Sequence, residues 1–474
     1  MLNKIIFLFV LSFLIILTPT TKAAPLKYIF LFIGDGMGHS HVHLADMYLN
    51  NISNDKKEKL LMTKFPIHGI ISTHSANKHI TDSPASVTAF ATGEKTNNRL
   101  LSISPEGEIL QTITEKLSKK GWLTGLLSTK SVTDATIAGF FAHQVNRENH
   151  YNIATQLANS KADFILGGGA KYFLDNKNGN LKELLYKNGF TSFFNVEETE
   201  NFLSTPYQED LKLFGALYNK HLPLTINTPQ KRSLLVDGLK KAISIFKQKK
   251  KPFFIMAEGA LIDTASHSHD LPAMLTEVLD FNQAIKIAYN FYKKHPHETL
   301  IIVTADHETG GLILNSKSHN YKNINFEQIK KIKASFLYNK SIQYDGNKKK
   351  FLETLKKYFA LIPKNENEKN ILNRAMLVED TLRFASWPIK MFNRFIRGIK
   401  QTHYHYSTQC PYGPTMNVVN EIVTERANIS WGTFHHTAAT VPIFSIGNSS
   451  EEFQGSFTND EIGRKLFKLT KNKY

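Results

Sequence analysis

Cysteine is nearly absent: Cys410 is the only one in 474 residues. No intrachain disulfide can form, so stability has to come from a packed core, bound metals or assembly. Long apolar runs are equally scarce. The one that stands out, Ile5 to Leu17, is shorter than the roughly 20 residues of a bilayer span, and it lies between Lys4 and the small residues Ala23 and Ala24. That arrangement reads as a secretory signal peptide over residues 1–23, with cleavage expected after Ala23 and a soluble mature protein that is periplasmic or secreted. Acids are fewer than bases, 41 against 58, for a formal net charge of +17. The lysines are scattered, which describes a solvated surface that also draws in anionic substrates. No zinc-finger, RRM or other nucleic-acid module is present, so a phosphate ester ranks above DNA or RNA as the ligand. Neither a repeat nor a low-complexity linker interrupts the chain, and 42% apolar against 21% charged residues excludes a disordered protein.

What is present is a rhythm of short apolar runs. They cover Lys27 to Gly34, Trp122 to Ser128, Asp163 to Leu166, Pro252 to Ala257, Thr299 to Thr304 and Val441 to Ile446, each with the look of a buried strand. Helical patterns lie between them. The clearest follows Asp270, with Pro272 near its start and Met274, Val278, Phe281, Ile285, Ala288 and Tyr292 at spacings of three and four. Strands alternating with helices predict an α/β protein with a largely parallel sheet covered on both faces. Residues from about 312 to 435, rich in Lys, Asn and aromatics, break the rhythm and read as a long insertion before the last strand.

Chemistry-bearing residues gather at the ends of these elements. In Asp82-Ser83-Pro84-Ala85, the proline suits the first helical position, which makes Ser83 the expected N-cap of a helix of small residues running to Gly93. A helix N-terminus also offers N–H groups to an anion. Asp35 follows the first strand within Asp35-Gly36-Met37-Gly38. Glu258 ends another strand, and after it Asp263 and His267 stand four apart, on one face of a helical turn, a common way to hold zinc. Asp306 and His307 follow Thr304. His435 and His436 precede the strand at Val441, and Asp134, Thr136, His143 and Arg147 lie on a stretch that looks helical. Singly, each is explained by an ordinary structural polar group. Together, at strand C-termini, they point to a shared metal site.

With these blocks the sequence resembles the alkaline phosphatases, metal-dependent phosphomonoesterases of a three-layer α/β/α sandwich fold. DGMG at Asp35, DSPASVTAFATG at Asp82, TDATIAGFFAHQVNR ending at Arg147, EGALIDTASH at Glu258, TADHETGG at Asp306 and HT at His436 occur in the family's order over nearly the whole mature chain. The resemblance implies a catalytic domain over residues 24–474 and two zinc ions. Asp263, His267 and His436 are expected to bind one, and Asp35, Asp306, His307 and Ser83 the other. Asp35, Thr136 and Glu258 are expected to hold one magnesium, with Asp134 behind them. Ser83 is then the nucleophile, Arg147 the phosphate clamp and Asp82 the residue that orients it, on small phosphate monoester substrates. A homodimer is the assembly the family implies. Two departures stand out: Pro84 replaces a small alanine, and Thr264 replaces the basic or aromatic residue often found after Asp263, leaving Asp134 without a cationic neighbour from that position.

Other readings are a phosphodiesterase, sulfatase or mutase of the same superfamily, or an inactive phosphate-binding protein. The Asp-Ser helix start and Arg147 favour monoesters. Within the insertion, residues 383–406 interleave Trp387, Ile389, Phe392 and Ile396 with Lys390, Arg394, Arg397 and Lys400. The expectation is packing within the protein or a dimer, with binding to an anionic membrane surface as the competing reading.

Overall fold

The computed structural model describes residues 25–471 except 56, 175–178, 230–231, 316–321 and 385–412. The expected signal peptide and nearly all of the 383–406 segment lie outside the described residues. Ten strands make one sheet: β1 (Tyr28–Ile33), β2 (Ile67–Ser72), β3 (Leu123–Ser131), β4 (Phe164–Gly168), β5 (Phe190–Phe193), β6 (Lys212–Ala216), β7 (Phe253–Glu258), β8 (Thr299–Thr304), β9 (Val441–Gly447) and β10 (Gly455–Thr458). Their order is β10-β2-β9-β8-β1-β7-β3-β4-β6-β5. β9 runs against both neighbours, and the other pairs are parallel.

All six predicted strands form. Strands β3, β7 and β8 are buried at every residue. Side chains alternate between the two faces of a strand, so both faces are covered, as a parallel sheet requires. The unpredicted strands are β2, β5, β6 and β10. Three of them have exposed or half-buried residues and so lack a continuous apolar run, and β6 is five residues long with a glycine inside. The insertion therefore precedes the penultimate strand; β10 follows it as the true last one.

The Leu271–Tyr292 helix starts where its pattern placed it. Asp270 caps it by accepting from the Ala273 N–H at 3.1 Å. Its stripe of Met274, Val278, Phe281, Ile285 and Ala288 is buried. It packs against the helices His39–Ile52 and Leu234–Lys249. It also buries two acids. Burial, then the charge of Asp280, pushes Glu277 up to about 8. The unfolded chain gives up that proton near 4.5, so this contribution to stability is complete below 4.5 and is lost as pH rises through about 8. The Glu277 carboxyl accepts from the Thr225 N–H at 2.7 Å, a bond that a glutamine oxygen keeps. Glu277→Gln is expected to match the parent at pH 5 and to be more stable by about 1–3 kcal/mol at pH 9, measured by urea unfolding. Equal stability at pH 9 rules out an acid titrating in the fold.

The insertion carries its own apolar cluster, with Phe336, Phe351, Leu355, Phe359, Leu372, Val419 and Ile422 among its buried members. It is tied to the sheet domain by Asn420, which donates to the Ser268 carbonyl at 2.9 Å, and by Ser335, which donates to Asp270 at 2.5 Å. No helix among the described residues is long and apolar enough to cross a membrane.

Candidate active site

Strand register brings the acids together. Ile33 at the end of β1 is level with Glu258 on β7 and with Thr304 on β8. Asp35, Glu258 and Asp306 thus emerge from three adjacent strands at one carboxyl edge, where open α/β sheets build their sites. The turn after β1 needs Gly36. Its φ is +74°, and a Cβ there would stand 3.0 Å from both Cα and Cβ of Asp263. Its N–H donates to Asp306 Oδ1 at 3.1 Å.

The helix of small residues spans Ser83–Thr92 and ends at Gly93, φ +79°. Its cap differs from the expectation. Asp82, not Ser83, is the N-cap, accepting from the Ala85 N–H at 3.2 Å. Ser83 becomes the first helical residue and Pro84 the second, so the serine hydroxyl is free of capping. The small side chains admit the Asn459–Leu469 helix: a Cβ on Gly463 would come within 2.3 Å of the Ala89 carbonyl oxygen. Ser86 donates to the Asp306 carbonyl at 2.6 Å and accepts from Asn459 at 3.2 Å, which locks the helix to the end of β8. Ser83 Oγ then lies 3.2 Å from His307 Nε2.

Asp263 and His267, four apart in sequence, converge with His436. His267 Nε2 is 3.1 Å from His436 Nε2 and 3.2 Å from Asp263 Oδ1, and His436 Nε2 is 3.7 Å from that oxygen. Bonds of about 2.05 Å to a tetrahedral ion place its ligands about 3.3 Å apart. The tautomers fit as well. Nδ1–H of His267 donates to the Phe434 carbonyl and Nδ1–H of His436 to the Thr81 carbonyl, which turns each Nε2 inward. Burial lowers His436 to about 4, so its ring is neutral. His436, rather than His435, reaches the site because the pair His436–Thr437 ladders against Glu308–Thr309.

A second set surrounds His307. Its Nε2 faces Asp306 Oδ2 at 3.2 Å, Ser83 Oγ at 3.2 Å and Asp35 Oδ1 at 3.4 Å. Burial, then His436, holds this ring well below its usual value. Thr309 donates to Asp263 Oδ1 at 2.7 Å and so accepts from His307 Nδ1–H at 3.2 Å, which again frees Nε2. Asp263 also lies within ligand reach of Asp35 and His307, so it borders both groups, and Asp306 Oδ2 adjoins the second. Asp35 Oδ1 and Asp306 Oδ2 are buried without a hydrogen-bond partner, and so is Thr136 Oγ1. Fully buried polar atoms are rarely left so; the two groups with ring nitrogens fit ions, and both Glu258 carboxylate oxygens are likewise buried without a partner.

Two expectations change around Arg147. The stretch from Ser131 is not one helix: β3 runs to Ser131, only Ala135–Ala138 is helical, and Arg147 follows in a loop. Asp134 caps that short helix and places Thr136. Asp82 does not hold Arg147, because its carboxylate is used by the Ala85 and Arg99 N–H groups, the latter at 2.7 Å. Asp134 is the partner, 3.4 Å from the guanidinium. Thr264 gives Asp134 no cation, as expected, but others do: against burial, Lys130 and then Arg147 lower its pKa. Sequence reading missed Lys130; the only signal was a lysine inside an otherwise buried strand.

The alkaline phosphatase family model matches residues 26–472. Alkaline phosphatase 4 of Bacillus subtilis (strain 168) is 29% identical over 457 residues, 94% of this chain and 89% of that protein. Alkaline phosphatase 3 of the same organism is 30% identical over 456 residues, 94% and 88%. Among solved structures, the cold-active alkaline phosphatase from the psychrophile Shewanella sp. superposes with a TM-score of 0.77 at 25% identity, covering 94% of this chain and 100% of that one. A mutant of the TAB5 alkaline phosphatase with Mg bound in its M3 site gives 0.64 at 25%, covering 95% and 99%. Family match and sheet-edge geometry agree: the chain belongs to the alkaline phosphatase family and is a phosphatase.

Proposed function

We propose that the chain hydrolyses small phosphate monoesters through a phosphoserine on Ser83, with two zinc ions and one magnesium. The observation that carries this reading is that Ser83 Oγ, Asp35 Oδ1 and Asp306 Oδ2 all stand one tetrahedral edge, 3.2–3.4 Å, from His307 Nε2. The first zinc is assigned to Asp263, His267 and His436, the second to Asp35, Asp306, His307 and Ser83, and magnesium to Asp35, Thr136 and Glu258. When bound, such ions lower the pKa of hydroxyl and water ligands and neutralise charge on departing oxygens. Ser83 Oγ attacks phosphorus, the ester P–O bond breaks and the alcohol leaves. Water then attacks the phosphoserine, and phosphate departs as Ser83 regains its proton.

Arg147, braced by Asp134, offers a planar fork for two phosphate oxygens, which suits a dianionic terminal group. Arg147→Ala is expected to lower kcat/KM by about 1.5–3 kcal/mol and to weaken inhibition by free phosphate without changing zinc content. Unchanged phosphate inhibition removes the arginine from the site. The whole reading is tested by turnover of an aryl phosphate monoester, a diester and an aryl sulfate, each with and without chelator. Fastest monoester turnover, abolished by chelation, supports it. A faster diester moves the chain to the phosphodiesterases, and no turnover with zinc loaded leaves a phosphate-binding protein. Export through residues 1–23 and a homodimer belong to the same reading, checked by the N-terminal sequence of the exported protein and its mass in solution.

A further inference from the structure

Lys130 has no role in the chemistry above, yet it is 8% exposed and its ammonium reaches the middle of the site. Lysines are seldom buried unless paired. Of its three donors, one goes to Asp35 Oδ2 and another to Asp263 Oδ2, each at 3.0 Å. Both carboxylates serve the ring-nitrogen sets through their other oxygen: Asp35 Oδ1 faces His307, and Asp263 Oδ1 faces His267. Loading those two sets therefore leaves the ammonium where it is.

The third set is different. Thr136 Oγ1 is without a partner, and so are both carboxylate oxygens of the fully buried Glu258. Asp35, however, has only Oδ2 left to give, and Lys130 holds it. Magnesium binds its oxygens at about 2.1 Å in near-regular octahedral geometry. With an ammonium on the same oxygen, the two cations would stand only about 4 Å apart in a water-poor interior, where repulsion is weakly screened.

We propose that Lys130 is a positioning residue that competes with the third cation for Asp35 Oδ2, so that this chain holds two ions firmly and the third weakly and exchangeably. Asp263 Oδ2 anchors the ammonium while it competes. In the absence of the third ion, Lys130 supplies the counter-charge that keeps Asp35 turned toward His307. The proposal rests on the assignment of the metal sets above, and the experiment separates the two. Zinc and magnesium are counted by mass spectrometry on the parent after dialysis against magnesium-free buffer. Mn2+, as a magnesium probe, is then titrated into the zinc-loaded parent, Lys130→Met and Lys130→Gln, and free Mn2+ is followed by its paramagnetic resonance signal. The expected result is two zinc and no magnesium per parent chain, with Mn2+ binding at least tenfold tighter in both variants at unchanged zinc content. One magnesium per parent chain surviving dialysis overturns the competition, whether or not the variants fold. So does Mn2+ binding in a zinc-loaded variant that is no tighter than in the parent. A parent that binds no zinc overturns the assignment of the metal sets, and the competition with it.

Discussion

Ser83→Ala is expected to reduce kcat at least ~10³-fold, about 4 kcal/mol in the barrier, and to abolish labelling of the protein by a radiolabelled phosphate monoester quenched in acid. The fold should hardly notice. Had Ser83 been the N-cap, its loss would cost about 1 kcal/mol of stability. Asp82 occupies that place and keeps its bond to the Ala85 N–H, while alanine is the better helix former at the position Ser83 takes. Zinc content should also persist, because Asp35, Asp306 and His307 remain. A variant of parental melting temperature and zinc content that has lost turnover isolates the hydroxyl as nucleophile. Label recovered on a peptide lacking residue 83 in the parent removes that role.

The contrast between Ser83 and Lys130 marks how far the residues could be read in order. Strands were legible where both faces are covered, as in β8, whose expected and observed ends coincide at Thr299 and Thr304. They were illegible where residues meet solvent, as in β2, where exposure alternates, and β10, where no residue is fully buried, because neither leaves a continuous apolar run. The clustering of candidate ligands was legible because most of them sit just past strand ends or one helical turn apart, local patterns that carry their own chemistry. The cap was misplaced by one residue because Ser and Asp are both good caps and Pro84 is tolerated at either of the first two helical positions. Arg147 was placed on a helix because the block from Val132 to Phe141 is almost wholly buried, which removes the polar face that separates helix from turn. Lys130 carries no local mark beyond being a lysine within a buried strand. Its burial is created by Asp35 from β1 and Asp263 beyond β7, far away in sequence, so only the folded sheet edge explains it.

Removal of the ions should have the largest effect on the molecule as a whole, and its pH dependence should identify where they sit. Asp35, Asp134, Glu258, Asp263 and Asp306 crowd one buried edge, with Lys130 and Arg147 as the neighbouring cations. In the ion-free protein, burial and then Asp263 push Asp35 up to about 7, and burial, with the charge of Asp35 next, raises Glu258 and Asp306 well above the carboxylate range. These groups keep protons in the folded chain that they lose when unfolded. For Asp35 that contribution is complete below about 3.8, its unfolded value, and is lost as pH rises through about 7, and Glu258 and Asp306 act in the same direction. Bound ions reverse the preference, because a cation stabilises the ionised carboxylates it touches. Binding to the folded state alone adds about 4 kcal/mol when free ligand is 1,000-fold above Kd. Chelation is accordingly expected to abolish activity and to lower the melting temperature, with a gap between loaded and stripped protein that widens from pH 5.5 to pH 9. Added zinc should restore both properties and magnesium alone neither. The check is calorimetry at the two pH values, before and after chelation. A gap that is the same at both places the ions on groups other than these buried carboxylates.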